Sequence, residues 1–254
     1  MIYLGPLEYA TPGRPSERIH LENFLQGTDI DTPFRYLLLA HQFLSSQHSI
    51  SPYGEISIRA NVSVESDGPS MVLGKLTVGM NPNKTARDAL LSLDMQASSS
   101  TLRNDTNICF SMNDDACDLA LYVSRSVICC HYLLSSMLQV PGKLSGSDSL
   151  QFNITLWFPH ASQPSAVDRL STWLPGFTQS FDNMDKQWTF GKVTIEGPSS
   201  KVDVGYLQAN DLHIQTSSAG IRGQFQVNQS MTLDTVDACV TINHLFFPLI
   251  RIFP

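Results

Sequence analysis

The sequence predicts an all-β protein built as a β-solenoid-like stack of short strands, with few short helices. Three observations predict it. Residues 193–243 repeat every nineteen residues: Val193-x-Ile195, Leu212-x-Ile214 and Met231-x-Leu233 fall in one register, and Val202-x-Val204, Ile221-x-Gly223 and Val240-x-Ile242 in a second, nine residues downstream. Upstream of them, apolar and polar residues alternate with the period of a half-buried strand. Charged residues make up only 15% of the 254-residue chain, whereas Ser and Thr number 46, so the polar faces of those strands are hydroxyl-rich rather than ionic.

Residues 1–50 form an N-terminal segment of irregular and helical character. Pro6, Pro12, Gly13 and Pro15 prevent regular structure early on, and Asp31-Thr32-Pro33 starts a short helix over 34–45 with proline in its first turn. Residues 51–160 are β-rich. Ile56, Ile58, Ala60, Val62 and Val64 alternate with polar residues, which puts Asn61 on the wet face. Further strands follow around Leu76 and Val78, around Leu91, Leu93 and Met95, around Leu119 and Leu121, and from Leu150 to Phe158. Such alternation suggests antiparallel pairing, and the repeat unit is either continuous with this antiparallel region or packed on it. Residues 126–146 interrupt the rhythm. They are apolar, contain Cys129 and Cys130, and read either as a short buried helix or as an insertion foreign to the fold.

Residues 161–192 read as a connector, in which Ser165 to Asp168 opens a helical turn carrying Leu170 and Leu174 before Pro175-Gly176 ends it. Residues 193–243 hold three units of two strands each, with the small residues Ser200, Ala219 and Ala238 near the corner, and Tyr206 and Phe225 forming a further column that His244 ends. An antiparallel meander of evenly spaced strands would give a similar pattern. Residues 244–254 are a hydrophobic tail, either a cap on the open edge of the stack or the product of truncation.

The composition excludes several classes. With a formal charge of −7 and no Lys/Arg run, neither a nucleic-acid partner nor an anionic membrane patch is expected, and no segment has the roughly twenty apolar residues of a membrane span. Five Cys fit no zinc pattern. Cys109 and Cys117 flank a short loop and form a disulfide candidate, with free buried thiols as the alternative. Sequons at Asn61, Asn83, Asn104, Asn153 and Asn228 make these five the glycosylation candidates and favour an extracellular or cell-surface location. The first residues, interrupted by Pro6 and Glu8, do not read as a signal peptide.

No nucleophile elbow, P-loop, dinucleotide fingerprint or zinc-protease motif is present, so no catalytic, cofactor-binding or metal-ligating residue is expected, and no cofactor. Asp203, Asp211, Asp234 and Asp237 lie on or beside the repeats, where pectinase-like solenoids set paired carboxylates, yet Asp203 and Asp234 fall in different columns. Asn113-Asp114-Asp115 with Asp118 reads as a solvated acidic loop rather than a Ca²⁺ site, and His213 as a surface residue. Trp157, Trp173 and Trp188 would serve as a sugar-stacking platform or, more commonly, as core.

Residues 150–243 resemble a group of uncharacterised basidiomycete fungal proteins with adhesin-like β-repeats, related to a bacterial adhesin-like domain of unknown function. The resemblance is carried by Leu170-x4-Pro175-Gly-Phe177-x3-Phe181, by Phe190-Gly-Lys-Val-Thr-Ile195, by Thr216-Ser-Ser-Ala-Gly-Ile221-x-Gly223-x-Phe225 and by Leu233-x-Thr235-x2-Ala238. Residues 126–146 have no counterpart in that group. The resemblance implies the repeat architecture and no activity. The expected function is therefore that of a non-enzymatic adhesin-like surface or matrix protein presenting its β-face to an unknown protein or glycan. A carbohydrate-active enzyme on a β-solenoid and an intracellular β-repeat scaffold are the alternatives.

Overall fold

The structure is a computed structural model. It describes residues 43–61, 65–66, 71–104, 106–112, 116–123, 143–144, 149–184, 187–246 and 250–253. In chain order the elements are β1 (Phe43–Ile50), β2 (Glu55–Asn61), β3 (Glu65–Ser66), β4 (Met71–Met80), β5 (Ala89–Ala97), α1 (Ser100–Asn104), β6 (Thr106–Met112), β7 (Ala116–Val123), β8 (Lys143–Leu144) and β9 (Ser149–Phe158). The second half holds β10 (Ser165–Trp173), β11 (Phe177–Asn183), β12 (Trp188–Glu196), β13 (Val202–Gln215), β14 (Ile221–Asp234), β15 (Val240–Phe246) and β16 (Ile250–Phe253). The protein is all-β, and its one helix among the described residues is five residues long.

Fourteen strands share one hydrogen-bonded sheet, and β3 pairs with β8 apart from it. The sheet folds into two layers that face each other. One layer runs β6, β7, β2, β10, β12, then the second half of β13, the second half of β14, and β16. The other runs β1, β5, β9, β4, β11, then the first halves of β13 and β14, and β15. β13 and β14 are long because each crosses from one layer to the other without a loop.

Alternation explains the core. In β9 the even-numbered residues from Leu150 to Phe158 are buried and their neighbours point outward, as the period-two geometry of a strand requires. The inward sets of both layers merge into a single apolar cluster. Aromatic rings bridge the layers: Phe158 of β9 lies 5.1 Å from Trp188 of β12 and 5.7 Å from Phe190, edge-on. Across the same interior, Thr172 of β10 donates to the buried Gln179 of β11 at 2.7 Å, which satisfies a polar pair that burial would otherwise penalise. The two ends of this row of strands differ. At one end His48 of β1 stacks on Phe110 of β6, centroids 4.0 Å apart, and closes the gap between layers.

Most neighbouring strands run parallel. Val193, Leu212 and Met231 are successive register partners, as are Ile195, Ile214 and Leu233, and Val202, Ile221 and Val240. Ile195, Ile214 and Leu233 are each fully buried. Corners between the layers are tied together by backbone bonds: Gly176 N donates to Pro198 O, Val202 N to Gly220 O, and Ile221 N to Cys239 O. Gly176 sits at φ +74°, a conformation that suits glycine. Ser200 is fully buried at its corner and donates to Leu174 O at 2.6 Å, which is why a small hydroxyl residue stands there.

Several expectations are corrected. The region 51–160 is not uniformly antiparallel: β2 pairs in parallel with β7 and β10, and β4 with β9 and β11, and among the described residues antiparallel pairs occur only at β1–β5, β5–β9 and β6–β7. Alternation reports which face is inward, and a parallel strand with one wet face alternates just as an antiparallel one does. Residues 43–50 form β1 rather than the end of a helix; the rest of the expected helix over 34–45 lies outside the described residues. The helical turn expected at 165–168 is the start of β10, and 161–192 contains three strands of the same sheet. There the buried residues are Val167, Leu170, Thr172 and Leu174, and the first gap of three imitates helical spacing. Tyr206 does not stand beside Phe225. The register slips between Val204 and Leu207, so the partner of Phe225 is the fully buried Leu207. Of residues 126–146, only Lys143–Leu144 is described, as β8.

The one apolar column broken by glycine has a steric cause. A Cβ on Gly223 would stand 2.7 Å from Phe225 Cζ and 2.7 Å from Val204 Cβ. Gly74 of β4 repeats the device: its Cβ would meet the Phe177 ring at 2.1 Å. In both places an aromatic ring covers the bare backbone.

Candidate ligand groove

The expected site residues are dispersed. Among the glycosylation candidates, Asn83 is exposed, and its Oδ1 accepts from Thr85 N at 3.0 Å and Thr85 Oγ1 at 2.8 Å. Asn153 points outward from the middle of β9. Asn228 is exposed in β14 and donates to Asn210 Oδ1 at 3.0 Å. Asn61 ends β2 and Asn104 ends α1. The expected Cys109–Cys117 disulfide is corrected: Cys117 is a buried free thiol, whereas Cys109 is disulfide-bonded. In the β6–β7 pair Cys109 lies opposite Ala120 and Cys117 opposite Met112. Three positions of offset separate the two by about 10 Å along the strands, beyond the reach of a disulfide. Burial, aided by the neighbouring Asp118 carboxylate, pushes the Cys117 thiol up to about 12.

The acidic residues divide between the two outer faces. Asp211 and Asp234 lie on the outside of the layer containing β12, where Asp211 accepts from Ser230 and Asp234 from Gln215. Asp203 lies on the outside of the other layer and is paired with Lys201 at 2.6 Å. Asp118 is bound by Arg59, whose Nε lies 3.2 Å from Oδ1. The remainder of the expected acidic loop, 113–115, lies outside the described residues, and among the described residues no His/Cys/Asp/Glu group of three or more could hold a metal. His213 lies on an outer face, 3.8 Å from Glu196. The tryptophans take three different places. Trp188 is core and donates to Pro159 O at 2.9 Å. Trp173 is exposed on one outer face and Trp157 half-buried on the other.

What the structure assembles instead is a groove of about 370 Å³ on the outer face of the β4–β11–β13–β14–β15 layer. Its walls carry Ser180 and Asp182 from β11, Asp203 from β13, Arg222 and Gln224 from β14, and Asn243 from β15, and Gly205 lies among them. Two register irregularities create it. β13 gains a residue between Val204 and Leu207, and β15 gains one opposite the Gly223–Gln224 step of β14. Such bulges bend a strand and re-aim its side chains. A Cβ on Gly205 would stand 3.0 Å from Asn183 N, so glycine there lets β13 approach β11 closely. Beside the groove, Tyr206 donates to Gln226 Oε1 at 2.5 Å, and burial raises its phenol above the ordinary value.

Past Asp182 the outer face is closed. Gly79 of β4 is a register partner of Trp157, and a Cβ at Gly79 would stand 2.7 Å from Asp182 Oδ2 and 2.8 Å from Trp157 Cζ3. The edge of the indole and the carboxylate thus cover the backbone of Gly79, which is buried. Asp182, Arg222, Gln224, Asn243 and both glycines escaped sequence reasoning. An outward-facing glycine within a strand was the one available signal, because it marks a gap or a close approach.

No family model matches this chain, and no curated protein matches it. Among solved structures it is similar to a "putative cell adhesion protein" from Clostridium sporogenes, with TM-score 0.28 and 10% identity over 83% of this chain and 98% of that one. It is similar also to a "putative adhesin" from Parabacteroides merdae, with TM-score 0.21 and 10% identity over 84% and 97%. A third is a "putative lipid binding protein" from Parabacteroides distasonis, with TM-score 0.25 and 8% identity over 84% and 97%. Likenesses this faint carry no argument about what the chain binds. No helix among the described residues is long and apolar enough to cross a membrane.

Proposed function

We propose that this chain is a non-enzymatic, adhesin-like surface or matrix protein, a β-solenoid-like stack whose outer faces bind a protein or glycan. One observation carries the reading. Across the groove-bearing layer, Ser92, Thr155, Thr77, Ser180, Asp203 and Arg222 are successive register partners, so a row of polar groups, short in all but Arg222, is held at strand spacing by a rigid backbone. A preorganised polar surface of this kind loses little entropy on binding. The solenoid part of the reading is supported by the parallel partners Ile195, Ile214 and Leu233 and by the bonded corners. The likeness to the adhesin-like fungal group belongs to the same reading and is supported by the packing role of Gly223 and Phe225. Export is supported by the exposed sequons at Asn83, Asn153 and Asn228 and by the disulfide at Cys109.

The test uses beads coated with the full chain, passed under flow over surfaces bearing mucin, fibronectin or yeast mannan. Retention on at least one surface above that of albumin-coated beads is expected. Retention no greater than albumin on all three would overturn the adhesive reading.

A further inference from the structure

Deepening that reading, we infer that the outer groove is a binding site for a neutral oligosaccharide, lying across the strands from Asp182 to Asn243. Two features converge on it. The volume of about 370 Å³ falls in the range of a small-molecule site. The wall groups are those that grip vicinal hydroxyls: the Asp182 and Asp203 carboxylates accept, the Arg222 guanidinium donates in a planar fork, and the Gln224 and Asn243 amides do both.

The dimensions select an oligosaccharide over a monosaccharide. From β11 through β13 and β14 to β15 is three strand spacings, or about 14 Å. The charges select a neutral one. The Asp182 and Asp203 carboxylates are balanced by the Arg222 guanidinium and by Lys201, which pairs with Asp203, so a sulfated or uronic-acid chain would meet no net attraction. The bulged backbone around Gly205 holds the groove in place without a ligand, so binding requires no rearrangement of strands.

The experiment titrates the full chain, by calorimetry, with cellohexaose, laminarihexaose, chitohexaose and mannohexaose, and with heparin as the polyanion. At least one neutral hexasaccharide should bind. Gln224→Ala and Asn243→Ala should each weaken that binding by at least tenfold, while Trp173→Ala on the opposite face leaves it unchanged. Gln224 and Asn243 both line the outer groove, so both variants should fold, and thermal melts check this. Binding of heparin alone, of none of the hexasaccharides, or with equal strength in wild type and Gln224→Ala would overturn the inference. Beads that still adhere in excess hexasaccharide, and with Gln224→Ala, would sink the groove while leaving the adhesive reading standing. Beads that never adhere would sink the adhesive reading alone when the titration succeeds.

Discussion

Residues 165–246 and residues 43–158 use the same alternating strands to reach different arrangements. In the later region each strand lies beside the one reached after a single further circuit of the chain: β10 beside β12, β12 beside β13, β13 beside β14. Short corners between the layers allow this. In the earlier region the chain jumps. β4 is followed by β5, but β9 lies between them, and β2 takes β7 and β10 as neighbours. That region also supplies the antiparallel edge strands β1 and β6, whose His48 and Phe110 rings seal one end. The comparison teaches that an alternating strand declares its buried face and leaves both its neighbours and its direction open.

The largest expected effect tests whether both regions depend on one core. Ile214→Ala in the later region and Leu93→Ala in the earlier one remove fully or nearly fully buried aliphatic chains, and each should lower stability by about 2–5 kcal/mol. Urea melts followed by far-UV circular dichroism would show one cooperative transition in both variants. Two separated transitions would mean that the regions unfold independently.

Next come the ring-covered glycines, one in each region. Gly74→Ala and Gly223→Ala force a methyl group into Phe177 or into Val204 and Phe225, and overpacking of this kind costs about 1–3 kcal/mol. Gly223 should be the harder of the two to accommodate, because a Val204 backbone oxygen also crowds it, whereas the groups nearest Gly74 are ring atoms. Thermal melting midpoints of the two variants decide the order.

A smaller effect separates the ends. Burial lowers the His48 pKa below its ordinary 6.5, so the folded state favours the neutral ring. That contribution is complete above pH 6.5 and is lost as the pH falls through the folded-state value, since the unfolded chain takes up the proton first. Amide protection factors, which correct for the slower intrinsic exchange at lower pH, should therefore fall in β1 and β6 on acidification, with β12 and β13 less affected, and His48→Phe should abolish the difference. An equal fall everywhere would remove His48 from the account.

The smallest effect is chemical. Iodoacetamide at pH 8 should label the exposed Cys239 in the native protein and leave Cys117 unlabelled, because the thiolate is the reactive species. Peptide mapping reads this directly, and labelling of native Cys117 at the Cys239 rate would contradict its burial.

The sequence by itself determined the β character and the inward face of most strands, because period-two alternation is a local consequence of pleated geometry. Ile56, Ile58 and Ala60, or the even-numbered residues of β9, needed no knowledge of partners. It misled at Val167, Leu170 and Leu174, where an irregular strand spaces its buried residues as a helix would, and at Cys109 and Cys117, whose nearness along the chain said nothing of hairpin register. The groove was illegible for a physical reason. Asp182, Asp203, Gln224 and Asn243 sit on four strands, and the backbone register that sets them side by side is shifted by bulges that no local pattern announces. Strand order, parallel direction and the groove were decided only by tertiary pairing, since each depends on hydrogen bonds between residues remote in the chain.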